Sequence, residues 1–248
     1  MFIIGHRGAR GEAPENTLSG FRYLRRLGIL AVELDIQVSG DGELVVIHDY
    51  VLERTTSGQG SVHEKTVAEL AALDACHNTF ADWPEREGIP TLRQVMEVLH
   101  DFEHIQFEVK ARTEAHAQRV ATLFPPLWRE FGFGGRAFTT SFNPRYLQIV
   151  AGLAPEIPRG LLIEKDFSGN AVQLATTLGC RSLGPNQEMC SKDLIDRAHG
   201  AGLIVSSWTV NPAERMLELQ RDGIDSIITD KPTLALATLG ATAQGLSR

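Results

Sequence analysis

The sequence predicts a single (β/α)₈ barrel spanning residues 1–248, on three observations. Short β-branched runs alternate with longer helical stretches, which implies parallel strands joined by helices. Eight such units in 248 residues match the size of that barrel. Two strand-like runs, Val32-Glu33-Leu34-Asp35-Ile36 and Phe107-Glu108-Val109-Lys110, place ionisable groups on alternate positions, so each has one apolar face and one charged face. A doubly wound open sheet is the other arrangement such units can take.

The strands are read at residues 2–4, 31–36, 105–109, 137–140, 160–163, 182–184, 203–207 and 226–229. The first helix, residues 16–27, spaces Leu18, Phe21, Leu24 and Leu27 three apart and stops at Gly28, so its apolar stripe faces a sheet. Asn143-Pro144 and Asn211-Pro212 each suit a helix start, with Asn as the cap and Pro at the first helical position.

One segment breaks the alternation. Residues 44–48 are strand-like, but they follow the second strand too closely for a parallel crossover, so they must run back as a hairpin through Ser39-Gly40-Asp41-Gly42. Pairing Val38 with Glu43 would set Asp35 opposite Val46 and Glu33 opposite His48, and another register would move this by a residue or two. Residues 50–90, approximately, are polar and glycine-containing, with a short helical run at 67–75. They read as an insertion on the barrel rim, followed by a helix from Thr91.

A net charge of −7 argues against nonspecific attraction to nucleic acid or an anionic membrane, so an anionic substrate would need local positive charge. Cys76, Cys180 and Cys190 form no CxxC pair and are too few for a disulfide framework. With no signal-peptide pattern and no long apolar run, the reading is a cytoplasmic protein with no stable membrane association and a small-molecule partner.

On one strand alone, Glu33 and Asp35 would read as a solvated face. In a barrel the outward face packs on helices, and carboxylates on the inward face need a cation or hydrogen bonds. Glu108 repeats the geometry on the next strand, making three carboxylates of a kind that binds Mg²⁺ or Ca²⁺, with Mn²⁺ a further candidate. No cysteine or paired histidine accompanies them to favour zinc. His6 and His48 sit near the C-terminal ends of the first strands, where barrel active sites lie, and two imidazoles can take and give a proton near neutrality. Arg7 and Lys110 with a divalent cation describe a phosphate site. Lys110 as a mere salt-bridge partner of Glu108 is the lesser reading, while Phe142 and Trp208, near strand ends, could equally wall a pocket or fill the core.

The HxxEH match at residues 100–104 needs one continuous helix and lacks it; GxSxG and GxGxxG are absent. His63, His77, His116 and His199 read as surface residues.

Taken in order, His6-Arg7-Gly8, Pro14-Glu15-Asn16-Thr17, Glu33-Leu34-Asp35, His48-Asp49, Glu108-Val109-Lys110, Ser141-Phe142, Trp208-Thr209-Val210-Asn211 and Thr229-Asp230-Lys231-Pro232 resemble the motifs of the glycerophosphodiester phosphodiesterase family. The resemblance spans nearly the whole chain. It implies a TIM barrel with a small insertion near the second strand, a divalent metal, and hydrolysis of glycerophosphodiesters to sn-glycerol 3-phosphate and an alcohol. It also implies His6 and His48 as acid and base, and Glu33, Asp35 and Glu108 as metal ligands. Water could be the nucleophile. The glycerol 2-hydroxyl could instead attack, giving a cyclic phosphate that water then opens, a route favoured by proximity. Cleavage of intact lipid, which would need an apolar docking surface that the insertion, with only Phe80 and Trp83 as large apolar candidates near its end, hardly offers, and a barrel that binds diesters without turnover are the other readings.

Overall fold

The computed structural model describes residues 1–240, and within them the chain closes into a parallel barrel. Its strands, in chain order, are β1 (Phe2–Gly5), β2 (Ala31–Val38), β3 (Leu44–Val46), β4 (His104–Val109), β5 (Ala137–Ser141), β6 (Arg159–Ile163), β7 (Ser182–Pro185), β8 (Ile204–Ser207) and β9 (Ser226–Thr229). All pair in parallel with their neighbours except β3. β1 closes the ring by pairing with β9 on one side and, through Gly5 and Val32, with β2 on the other. The helices are α1 (Leu18–Arg26), α2 (Val67–Ala71), α3 (Leu92–Val98), α4 (Glu114–Phe131), α5 (Pro144–Leu153), α6 (Ala171–Thr177), α7 (Lys192–Gly200), α8 (Ala213–Arg221) and α9 (Pro232–Leu239). The closed ring excludes the open-sheet alternative.

Period-two alternation sorts β2 and β4 into two faces. Val32, Leu34, Ile36, Ile105, Phe107 and Val109 join the outer core under the helices. Ala31, Glu33, Asp35, Gln37, His104, Gln106 and Glu108 point into the barrel, and every residue of both strands is buried. Phe2, Ile4, Ala31 and Ile228 form a small apolar cluster inside the barrel, with Trp208 packed against it. His104 stacks on Phe2 and lies against Phe138, with ring centroids 5.5 and 5.2 Å away. α3 ends at Val98, so the HxxEH match lies in the turn after the helix and reaches only the first residue of β4. Burial lowers the His104 pKa to about 4, so at pH 7 it is a neutral core imidazole.

The hairpin forms, but one residue out of the expected register: Val38 pairs with Leu44 and Ile36 with Val46, so the Ile47 N–H donates to the Asp35 carbonyl. The cause is the turn. Ser39 itself pairs with Glu43, which leaves a three-residue loop with Gly42 at φ 91°. Val45 and Ile47 alternate away from the outer core and meet Leu52, Val62, Leu70 and Ile89, so residues 50–90 enclose a small apolar cluster of their own. Within that segment Trp83 turns inward, its indole N–H bonding the Ser19 hydroxyl at 3.0 Å.

Two further readings are corrected. Asn143 caps α5 as expected, but Asn211 caps nothing: α8 starts after Pro212 without a side-chain cap, and the Asn211 amide serves Asp230 instead. His63 and His116 are only half exposed to the surface. They pack edge to face, 4.9 Å between centroids, with the Tyr50 ring against both. The three cysteines are free and buried. No described helix is long and apolar enough to cross a membrane.

Candidate active site

The loops after β1, β3, β4 and β9 converge at the C-terminal end of the barrel. Glu33, Asp35 and Glu108 meet there, offering carboxylate oxygens that all lie within 4.8 Å of one another. Parallel pairing of Asp35 with Glu108 puts the two strands' carboxylates side by side. Packing three such groups out of water is unfavourable unless cations compensate. Two do. Arg7 Nε lies 3.1 Å from Asp35 Oδ2, and Lys110 Nζ lies 3.2 Å from Asp35 Oδ1 while also pairing with Glu108.

That compensation is unequal. Asp35 is desolvated, but Lys110 and Arg7 outweigh this and hold its carboxyl below the usual range. Burial, added to by the charges of Asp35 and Glu108, pushes Glu33 well above its ordinary value, and burial also raises Glu108. Glu33 Oε1 is buried with no hydrogen-bond partner. A cluster of hard oxygen donors with one more negative charge than its cations neutralise fits a divalent ion such as Mg²⁺ or Ca²⁺.

Two loop residues with left-handed backbone hold the cluster. Arg7 (φ 52°) donates its own N–H to Glu33 Oε2 at 3.1 Å, and Asn16 (φ 56°) donates its amide to Asp35 Oδ2 at 2.9 Å. The Asn16 N–H in turn bonds the Arg7 carbonyl, at 2.9 Å, so the two turns brace each other. Each conformation costs about 1–2 kcal/mol in an L-residue, and such strain is retained where geometry matters.

The two histidines are held alike. His6 Nδ1 lies 2.6 Å from Asp230 Oδ1, and His48 Nδ1 lies 2.6 Å from Asp49 Oδ1. Anchoring Nδ1–H on a carboxylate leaves Nε2 free for proton transfer. His6 Nε2 lies 3.9 Å from Glu33 Oε2. Desolvation lowers both histidine pKa values from the ordinary one, against the opposing pull of Asp230 on His6 and of Asp35 on His48. Asp230 is itself oriented by Asn211, whose amide donates to Asp230 Oδ2 at 2.8 Å and whose carbonyl accepts from the Asp230 N–H. Gln37, inside the barrel, sends its amide to the carbonyls of Ile47, His48 and Asp49 and so fixes the loop that carries His48.

Glu15 joins these groups. It accepts from Arg7 Nη1 at 2.9 Å, Arg10 Nε at 3.0 Å, and both terminal nitrogens of Arg54 at 2.9 and 2.7 Å, while Arg54 Nε reaches Asp49. The Arg54 guanidinium therefore ties Asp49, which holds His48, to Glu15, which holds Arg7. Burial opposes the Glu15 charge, but the bonds from Arg54 and Arg7 prevail and hold its pKa at about 2. A folded value below the free value of about 4.3 means stability that is full above about pH 5 and lost as pH falls towards 2. It amounts to about 3 kcal/mol. Urea denaturation of Glu15→Gln should show lower stability at pH 7 and a shallower decline between pH 5 and 2.5 than the wild type. Parallel declines would refute this role.

Phe142 and Trp208 stand edge to face across the mouth, 5.2 Å between centroids, and Lys110 Nζ lies 5.8 Å from the Phe142 ring. Trp208 also lines a small cavity with His6, Glu33, Gln106, Glu108 and Thr140. The barrel thus brings all nine candidate residues to one end. Glu15, Asn16, Asp49, Arg54, Asn211 and Asp230 were given no role in the site in advance. All but Arg54 stand in the resembling motifs, and asking what holds the His48 Nδ1 would have reached its chain neighbour Asp49.

The model of the glycerophosphoryl diester phosphodiesterase family matches residues 6–234. A glycerophosphodiester phosphodiesterase of Caldanaerobacter subterraneus subsp. tengcongensis is 33% identical over 231 residues, covering 93% of this chain and 94% of that protein. An Oleispira antarctica phosphodiesterase, solved in complex with the product sn-glycerol-3-phosphate, superposes with a TM-score of 0.89 at 29% identity, covering 97% of each chain. A glycerophosphodiester phosphodiesterase from Agrobacterium tumefaciens superposes with a TM-score of 0.81 at 27% identity, over 96% of this chain and 99% of that one.

Proposed function

From the premise that the chain belongs to the glycerophosphoryl diester phosphodiesterase family and is an enzyme of that class, we propose metal-dependent hydrolysis of glycerophosphodiesters with His6 and His48 as acid and base. The products are sn-glycerol 3-phosphate and an alcohol. The observation that carries this is the juxtaposition of three carboxylates, within 4.8 Å of one another, with two histidines each anchored through Nδ1 at 2.6 Å.

Glu33, Asp35 and Glu108 would hold one divalent ion, Mg²⁺ or Ca²⁺ with Mn²⁺ a further candidate, which when bound polarises phosphoryl oxygens and neutralises charge. Lys110 and Arg7 add positive charge around the phosphate: Lys110 stands at the mouth, and Arg7 acts from beneath through Asp35. One imidazole takes the proton of the nucleophile through its Nε2. The other, protonated, gives one to the departing oxygen. Asp230 and Asp49 keep each Nδ1–H in place and stabilise the imidazolium when it forms. Phe142 and Trp208 wall the glycerol or alcohol. The glycerol 2-hydroxyl is the favoured nucleophile, since a substrate group held beside the phosphate gains from proximity. A substrate lacking that hydroxyl but cleaved at the normal rate would exclude the route.

Sites of this kind also suit lipid phosphodiesters, but the exposed large apolar residues among those described, Val51, Leu153, Leu217 and Leu234, lie on separate elements. A binder without turnover would need no acid-base pair. Enzyme assayed on glycerophosphocholine should release glycerol 3-phosphate with added Mg²⁺, Ca²⁺ or Mn²⁺, and chelator should stop it. No release from any glycerophosphodiester under these conditions would sink the reading.

A further inference from the structure

Beyond Lys110 the site opens into a groove whose lining is cationic, although the protein carries a net charge of −7. A cavity of about 420 Å³ runs from Glu108, Lys110 and Phe142 to Tyr50 and Arg112. A second, of about 610 Å³, continues from Tyr50 and Arg112 to His63, His116 and Arg119, and no carboxylate lines it. Tyr50 is the shared wall. Its hydroxyl donates to the Lys110 carbonyl at 2.8 Å, and the Arg112 guanidinium lies 3.7 Å from its ring centroid. Stacking fixes the plane of a guanidinium and leaves its N–H groups facing outward. Neither Arg112 nor Arg119 forms an ion pair among the described residues, and Arg119 has only a long bond to the Gly42 carbonyl at 3.4 Å. Glu114, the nearest acid along the chain, is taken by Arg145. His63 donates Nδ1–H to the Val38 carbonyl, leaving Nε2 able to accept, and His116 Nε2 is buried without a hydrogen-bond partner.

We infer that this groove is a leaving-group subsite for glycerophosphodiesters whose alcohol carries a second phosphate. The inference rests on the hydrolase reading and names its substrate class. Arg112 lies two residues beyond Lys110, so their Cα atoms are at most roughly 7 Å apart, a spacing that lets one substrate present two phosphates to the two cations. Planar guanidinium forks recognise phosphate oxygens in pairs. In the reaction the P–O bond to the alcohol breaks and the oxygen of water ends on phosphorus. The proton goes to the departing alcohol, which leaves with its own phosphate intact.

Glycerophosphoinositol 4-phosphate and glycerophosphoinositol differ only in that second phosphate. With added Mg²⁺, kcat/KM for glycerol 3-phosphate release should be higher for the phosphorylated substrate. Arg112→Gln should lower that value by about tenfold, mainly through KM, and leave glycerophosphoinositol within about twofold; Arg119→Gln should act in the same sense more weakly. The advantage should shrink as salt rises. Equal losses on both substrates, or no change on either, would overturn the subsite while leaving the hydrolase reading in place. Wild-type enzyme that releases glycerol 3-phosphate from neither these nor glycerophosphocholine would overturn both.

Discussion

Alanine at His6 or at His48 should lower kcat by about 10²-fold or more while leaving metal affinity nearly unchanged. Each ring supplies its Nε2 to the site, and neither side chain is one of the three carboxylates that cluster for an ion. Because the two act on one proton inventory, the double variant should lose far less than the product of the single losses. Asp230→Asn tests the anchoring separately. It keeps the shape and a hydrogen-bond acceptor but removes the charge that stabilises imidazolium, so kcat should fall while KM stays near its wild-type value. Calorimetric titration with Mg²⁺ or Mn²⁺ checks the other half of the claim. If the histidine variants lost metal rather than turnover, the assignment of roles would be wrong.

How far the sequence reveals this site depends on which contacts are local. Glu33, Asp35, Glu108 and Lys110 were legible because strand periodicity alone decides which face a residue takes, and a barrel has only one polar inside. His48 was legible because a short connection forces a hairpin, although the register slipped by one when Ser39 entered the pairing. Asp230 is different. It lies 224 residues from His6 and meets it only because β9 closes on β1, where Gly5 pairs with Thr229. Arg54 reaches Glu15 and Asp49 from a segment whose own pattern is merely polar. Such loop-to-loop contacts have no period, so no local pattern announces them. Asn211 misled for a related reason: Asn before Pro suits a helix cap, but a half-buried carboxylate nearby is a stronger claim on its amide. Each miss is a polar side chain that supports another functional side chain.

Removing Glu33 and removing Asp35 should both abolish metal binding, yet they should move the stability of the metal-free protein in opposite senses. In wild-type protein a divalent ion that binds only the folded state at 100 times its Kd adds about 2.7 kcal/mol. For a chain of this size that is a rise in Tm of roughly 5–10 °C. Glu33→Gln and Asp35→Asn should each erase that rise and lower kcat/KM by several hundredfold or more. Without metal the two sites differ. Glu33 is buried among like charges, its carboxyl is pushed well above the ordinary range, and Oε1 has no partner, so an amide in its place should leave the metal-free Tm unchanged or slightly higher. Asp35 is the charge on which Arg7 and Lys110 both rest, at 3.1 and 3.2 Å. Neutralising it leaves two buried cations short of a partner, a loss of about 3–5 kcal/mol by comparison with other broken buried pairs. Thermal unfolding with chelator and with Mg²⁺, run on both variants, separates these effects. If Glu33→Gln destabilised the metal-free protein as much as Asp35→Asn, the cluster would be a structural ion-pair network rather than a carboxylate set kept short of positive charge for a metal to supply.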